Sequence, residues 1–305
     1  MELVGLGFVG LGFVDIELVN LEFLGLGACW LGVCGSVEME LLGLGLFGIG
    51  FGVCQFGACT VHSNPRTARS IGGAPAQVTY QAALLRAPYG TLQYLCGGSI
   101  VSGYFVLTAA HCVYEPVTGL QIRAGTSYWS SGGSLHTPRQ IIIYPGYINS
   151  SIKLNSASSP LNDLALIEVN EPFIGPNIAV VNLFVGETPS NIYGTVSGWG
   201  YNGNPNSVSG TDVLQAVSVI VYNKKTCKMY SELYNHRFSI NYPDQGQICG
   251  GTSTTAACRG DSGSPLVYNG AQIGIVSYGG EICGEMPSYY TEVSYYASWI
   301  KQYLR

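Results

Sequence analysis

The sequence predicts an all-β fold of barrels or sandwiches over residues 70–305, and three observations carry that prediction. The first is a series of short β-rich runs divided by Gly, Pro, Asn and Ser turns: Ser99–Thr108, Arg139–Tyr144, Leu164–Val169, Val213–Tyr222 and Gln272–Ser277. The second is composition, since 42 Gly and 21 Tyr with only 10% charged residues suit turn-rich strands better than helices. The third is how little of the chain has a helical period. Only the tail, Tyr295–Leu304, shows one, with Tyr296, Trp299, Ile300 and Leu304 on one face.

Residues 1–59 are of another kind, dominated by Leu, Val, Phe and Gly. The opening Met1-Glu2-Leu3-Val4-Gly5-Leu6-Gly7-Phe8 returns in altered form from Met39 to Leu46. Gly5–Gly10 matches the spacing GxGxxG, but in sequence this rich in Gly the match is expected by chance, and no βαβ pattern surrounds it. We read 1–38 as a low-complexity leader with no fold of its own and 39–59 as a signal segment, in keeping with the uncharged apolar run that starts at Leu41. Residues 60–69 are polar, contain Pro65, and end in Arg69, which suits an exposed and cleavable propeptide.

Charge excludes one class of partner. The formal net charge is −5, and six of the 18 acids but only two of the 13 bases lie in 1–69, so the rest of the chain is near neutral. No basic footprint for nucleic acid exists. Six of the ten cysteines lie from Cys96 onward, and no two are spaced CxxC. The four histidines, His62, His111, His136 and His236, have no ligand-like spacing. Disulfides in an oxidising compartment are therefore expected rather than zinc, and no metal or other cofactor is predicted.

Three local signals carry chemistry. Leu107-Thr108-Ala109-Ala110-His111-Cys112 ends a strand-like run in a histidine beside a cysteine, and Asn162-Asp163-Leu164-Ala165-Leu166 opens a buried apolar run with a carboxylate. A lone His is more often structural, and a lone Asp at such a place caps a turn about as often as it does anything else. Gly260-Asp261-Ser262-Gly263-Ser264-Pro265 is the most specific, because it sets a serine in a Gly-flanked loop whose amides can converge on one point. Together they supply what acyl transfer needs. Ser262 is a weak nucleophile without a base, His111 can take its proton, and Asp163 can fix the imidazole tautomer and stabilise the imidazolium. The amides of Gly260 and Ser262 can form an oxyanion hole, where one donor is worth roughly 3–4 kcal/mol.

In these motifs and in the chain order His, Asp, Ser, residues 70–305 resemble the chymotrypsin (trypsin-like) family of serine peptidases. The resemblance implies two six-stranded antiparallel β-barrels with the site between them and a C-terminal helix. It also implies the disulfides Cys96–Cys112, Cys227–Cys249 and Cys258–Cys283. A further bridge of the family is missing, since its two places, near Thr195 and at Tyr268, both lack Cys. By the same resemblance, cleavage after Arg69 frees the Ser70 α-amine to pair with Asp261, although Ser70 stands where an aliphatic residue is usual. A trypsin-like activating protease, protein inhibitors and a monomeric state are expected.

The resemblance also places specificity. Ala256 occupies the base of the primary pocket, Gly279 and Ser288 form its walls, and the Ser277–Gly279 backbone, with Tyr278 in place of the usual Trp, pairs with substrate. An uncharged base predicts cleavage of protein or peptide substrates after large or medium apolar residues such as Phe, Tyr, Leu or Met. An elastase-like preference for smaller residues is the alternative. A non-catalytic, protease-like binding protein is the competing class. Arg259 sits at the pocket rim, Asn149-Ser150-Ser151 is a glycosylation sequon, and the loop Thr126–His136, which binds calcium in some relatives, has no carboxylate. The whole reads as a secreted, extracellular zymogen of a serine endopeptidase.

Overall fold

The computed structural model describes residues 73–149, 159–201, 210–238, 242–243, 245–280 and 282–304, together with short backbone pairings in the leader. Contacts divide the chain into Met1–Arg66 and Thr67–Arg305, a boundary inside the expected propeptide. In the first unit, Cys29–Trp30 pairs with Val33–Cys34 within the expected leader, and Phe51–Gln55 pairs with Ala58–His62 across the expected signal segment and the start of the propeptide. The expected leader, signal segment and propeptide otherwise lie outside the described residues, as do Arg69 and Ser70. Among the described residues no helix is long and apolar enough to cross a membrane.

In the second unit, β-branched and aromatic runs form fifteen strands: β1 (Ala74–Pro75), β2 (Gln81–Arg86), β3 (Gln93–Ile100), β4 (Phe105–Thr108), β5 (Gln121–Ala124), β6 (Ser134–His136), β7 (Pro138–Ile143), β8 (Ala165–Val169), β9 (Asn182–Leu183), β10 (Ile192–Gly198), β11 (Gln215–Val221), β12 (Gln247–Gly250), β13 (Pro265–Tyr268), β14 (Ala271–Tyr278) and β15 (Ser288–Glu292). The run expected over Ser99–Thr108 is thus the end of β3, a turn and β4, because the polar Ser102-Gly103-Tyr104 stretch reverses the chain.

Two sheets result. The first has the order β6-β5-β2-β3-β4-β8-β7, seven strands where six were expected, β6 being a three-residue addition. The second runs β9-β14-β13-β10-β11-β12-β15, and β14 also pairs with β15. That pairing closes β14-β13-β10-β11-β12-β15 into the expected six-stranded barrel, with β1 and β9 as short additions. The β9–β14 contact is parallel, a departure from the all-antiparallel expectation. Leu84, Ile100, Leu107, Ile122, Leu166 and Ile167 fill the first core, and Val196, Val219, Ile248, Leu266, Ile273 and Tyr290 the second.

Among the described residues, two α-helices accompany the sheets. The tail helix α2 runs Val293–Lys301, shorter than expected, and the apolar face is the expected one: Tyr296 and Ile300 are buried, while Trp299 and Leu304 pack against the first core. The helix α1 (Lys224–Phe238) corrects the expectation of a single helix. The side chain of Asn223 caps it by accepting a hydrogen bond from the Thr226 amide at 2.9 Å. Its inward stripe is Cys227, Ser231 and Tyr234, whereas the apolar Met229 and Leu233 face outward. A hydropathy pattern therefore shows no helix here.

Candidate active site

His111 lies in a single 3-10 turn, Ala110–Cys112, directly after β4. The Cys96–Cys112 disulfide ties that turn back to β3. Asp163 immediately precedes the first buried residues leading into β8, and is itself fully buried. Asn162 takes a left-handed φ of 53° to turn the chain there, a conformation that Asn tolerates well. Its amide nitrogen donates to the Gly146 carbonyl at 2.6 Å, and its oxygen accepts from the Tyr296 hydroxyl at 2.7 Å. The helix α2 thus braces the segment that carries the carboxylate.

The carboxylate is fully engaged. Asp163 Oδ1 accepts from the His111 backbone amide at 2.9 Å, and Oδ2 lies 2.7 Å from His111 Nδ1. Oδ2 also accepts from the Ser277 hydroxyl at 2.6 Å, and the Asp163 carbonyl accepts from Thr291 at 2.8 Å. Burial alone would raise the Asp163 pKa, but the His111 charge and the hydrogen bonds hold it below the ordinary value of 3.8. For His111, burial works downward, and the Asp163 charge and hydrogen bond override it and raise the pKa above 6.5. The sequence assigned Ser277 a role through its backbone. Its hydroxyl contact with Asp163, and the support from Asn162 and Thr291, have no local sequence signature because the partners are far apart in the chain.

Ser262 belongs to a loop clamped between the barrels. The Gly97 amide of β3 donates to the Ser262 carbonyl at 2.8 Å. Gly263 packs so tightly on Thr108 and Gly97 that a side chain there would collide with both. The Ser262 loop is thereby pressed against the chain that leads into His111. The amides of Asp261, Gly263 and Ser264 bond to Cys258, Val276 and Asp261 carbonyls at 2.8–2.9 Å. Among the described residues, the amides of Gly260 and Ser262 have no such acceptor. Two cavities flank the loop. One of about 320 Å³ is lined by Ser262, Ser277, Tyr278, Gly279, Met286 and Ser288, among others, and the other, of about 610 Å³, by His111, Tyr114, Asn149 and Pro160. Ser277 and Tyr278 line both.

The remaining predicted site residues fall around these cavities. Ala256 is fully buried and is not among the residues that line the smaller one, although its chain neighbour Ala257 is, and Arg259 is exposed at its edge. The Cys258–Cys283 disulfide crosses its wall, and Cys227–Cys249 links α1 to β12. A Cβ on Gly279 would lie 3.7 Å from the Ser288 hydroxyl, so the two face each other across the space. The Tyr278 ring stacks on Tyr289 with centroids 4.8 Å apart, and its hydroxyl donates to Gln247 at 3.0 Å. Thr195 and Tyr268 lie on adjacent strands β10 and β13, where Thr195 faces Val267. Cys96, His111 and Cys112 form a close cluster, but both sulfurs are spent in their disulfide.

Asp261 is buried with no cation beside it among the described residues. Its Oδ1 accepts from the Gly200 amide at 2.8 Å and its Oδ2 from the Cys258 amide at 2.9 Å. Burial raises its pKa to about 6 despite these two donors. A cavity of about 10 Å³ adjoins it, walled by Gly73, Gly198 and Ala216.

Comparison with known proteins agrees with this architecture. The family described as Trypsin matches residues 70–300. A trypsin of Phaedon cochleariae is 34% identical over 220 residues, spanning 69% of this chain and 79% of its own, and trypsin delta of Drosophila melanogaster is 33% identical over 238 residues, spanning 76% and 87%. Among solved structures, neuropsin, a serine protease of mouse brain, superposes with a TM-score of 0.63 at 28% identity, covering 78% of this chain and 99% of its own. The scabies mite inactivated protease paralogue S-D1 also scores 0.63, at 26% identity, with 76% and 96% covered. With the matched region spanning both barrels, the chain belongs to the trypsin family and is a serine endopeptidase.

Proposed function

We propose that the chain hydrolyses proteins after large or medium apolar residues, using His111, Asp163 and Ser262 as its triad. Ser262 Oγ attacks the scissile carbonyl as His111 Nε2 takes its proton. The resulting oxyanion accepts hydrogen bonds from the Gly260 and Ser262 amides. Collapse breaks the C–N bond, His111 returns the proton to the leaving amine, and water then releases the acyl group by the same route. Asp163 orients His111 and stabilises its cation, and the 2.7 Å contact between them is the observation that carries this reading. Ser277–Gly279 would hold the substrate backbone as a short antiparallel strand.

The apolar preference rests on the smaller cavity. No carboxylate lines it among the described residues, and the resemblance assigns its base to the uncharged Ala256, chain neighbour of the lining residue Ala257. A Lys or Arg side chain entering it would lose its hydration without gaining a partner, a heavy penalty. Met286, Val276 and the disulfide offer apolar contact instead. We further propose a secreted zymogen, comprising a leader (1–38), a signal segment (39–59), a propeptide (60–69) and the peptidase domain. A trypsin-like activator would cut after Arg69. Ser70 is three residues from Gly73, a wall of the small cavity at Asp261, within the roughly 10 Å that three extended residues can span. Protein inhibitors that fill the same cleft, and a monomeric enzyme, complete the reading.

The test is to profile the activated chain on neutral peptides that differ only in the residue before the scissile bond, with Ser262→Ala as control. Fastest turnover after Phe, Tyr, Leu or Met is expected, with none from the control. Fastest turnover after Ala or Val would shift the reading to elastase-like specificity, and fastest turnover after Arg or Lys would overturn it. Loss of catalysis in the intact chain as well as the control would leave a binding protein.

A further inference from the structure

The hydroxyl of Tyr94 in β3 donates a 2.8 Å hydrogen bond to the Gly260 carbonyl, 166 residues along the chain. Its ring packs on the same residue, since a Cβ built on Gly260 would lie 3.8 Å from the ring edge. Trp129 and Trp199 hold the ring in turn, with centroids 6.1 Å and 5.8 Å away. Trp199 is itself fixed by its indole N–H, which donates to the Ser127 carbonyl at 3.0 Å. Tyr94 is therefore a rigid arm from the first barrel to the loop before the nucleophile.

On the other side of Gly260, the Tyr201 amide donates to the Arg259 carbonyl at 2.7 Å. The peptide that carries the Gly260 N–H thus has its oxygen anchored, and in a trans peptide the N–H points the opposite way. Gly260 itself has a left-handed φ of 92°, so its backbone can rotate more freely than any other residue's could. The two carbonyl anchors, Tyr201 before it and Tyr94 after it, remove that freedom from both sides.

We infer that Tyr94 is a positioning residue for the oxyanion hole, its hydroxyl holding the Gly260 carbonyl so that the Gly260 N–H faces the developing oxyanion. The inference rests on the reading of Gly260 as an oxyanion donor. Burial, and then the nearby Asp261 charge, raise the Tyr94 pKa well above 10, so the hydroxyl keeps its proton throughout the working range. An amide free to swing weakens only an interaction made in the transition state, so its loss lowers kcat and leaves KM in place.

The experiment compares wild type with Tyr94→Phe, which keeps the ring and removes only the donor. Activated full-length protein is used, and rates are normalised by fluorophosphonate titration. Melting temperature reports whether the fold is kept. The expected result is a fall of about 3- to 10-fold in kcat with KM within twofold. Affinity for a peptidyl trifluoromethyl ketone, whose adduct bears an oxyanion, should fall by the same factor, and affinity for the amine-side product peptide, which has no carboxylate at the scissile position, should not change. Equal losses for ketone and product would mean a merely structural role and overturn the inference, as would unchanged kcat and ketone affinity. Replacing the Gly260 N–H by an ester oxygen in a semisynthetic chain, which deletes the donor and leaves the positive φ accessible, separates the two readings. If it spares ketone affinity, Gly260 is no donor and the underlying reading fails; if it destroys that affinity while Tyr94→Phe does not, only the inference about Tyr94 fails.

Discussion

Asp163 receives three donors on two oxygens while fully buried, an arrangement that suits an ionised carboxylate and little else. Asp163→Asn keeps the size but presents an amide to His111 Nδ1, which favours the wrong tautomer, and kcat is expected to fall by roughly 10,000-fold. Steady-state kinetics with active-site titration measures it. The same pair sets the pH profile. In the proposed mechanism the neutral form of His111 is the base, and its pKa is raised, so kcat/KM should climb with pH through a limb centred above 6.5. In the Asn variant that limb should move down. The pair's contributions to stability have opposite pH windows. That of Asp163 is present above pH 3.8 and is lost as pH falls through its lowered folded pKa, whereas that of His111 is full below 6.5 and is lost as pH rises through its raised one.

At the scale of elements, the pieces that carry the proposed triad were legible because each has a local signature: an apolar run entering His111, an apolar run leaving Asp163, glycines around Ser262. The helix α1 was not legible, because its buried face is Cys227, Ser231 and Tyr234, held by a disulfide and a cap rather than by greasy periodicity. Nor was the turn that divides β3 from β4, because Ser102-Gly103 is a break of only two residues in an otherwise strand-like run. The end of β14 yields a prediction of its own. Gly279 and Ser288 face each other across the smaller cavity, and the methyls of Gly279→Val would occupy the gap between them. Turnover of Phe and Tyr substrates should drop at least roughly tenfold while that of Ala substrates is maintained. Parallel measurement of kcat/KM on the two classes checks this, and a uniform loss would contradict the wall assignment.

On the scale of the molecule, the two sheets were foreseeable from strand spacing and motif resemblance, but the contacts that join them were not. Gln81 of β2 accepts from Ser197 of β10 at 2.7 Å, and Ser99 of β3 donates to Gln272 of β14 at 2.6 Å, pairs separated by more than 100 residues. Asp261 lies at this junction, and its folded pKa of about 6 exceeds the ordinary carboxylate value. A folded state that holds a proton more tightly than the unfolded chain loses stability as pH rises from about 4 to about 6, here by about 3 kcal/mol for a shift of about two units. Melting of an uncleavable Arg69→Gln chain carrying Ser262→Ala should show that decline, and adding Asp261→Asn should flatten it. In the cleaved wild-type chain an ammonium at Asp261 should reverse the slope. A decline that survives Asp261→Asn would place its origin elsewhere.

The glycines that let the nucleophile loop touch both barrels carry a consequence for how the protein can change over time. A side chain on Gly97 would strike Ser264, one on Gly198 or Gly200 would strike Asp261, and one on Gly263 would strike Thr108 and the Gly97 carbonyl. None of these positions can vary without moving a neighbour that positions the chemistry, so the seam has almost no mutational neighbours. The wall at Gly279 and the buried Ala256 lie just outside that seam. New substrate tastes can therefore be explored one substitution at a time around a catalytic centre that stays locked.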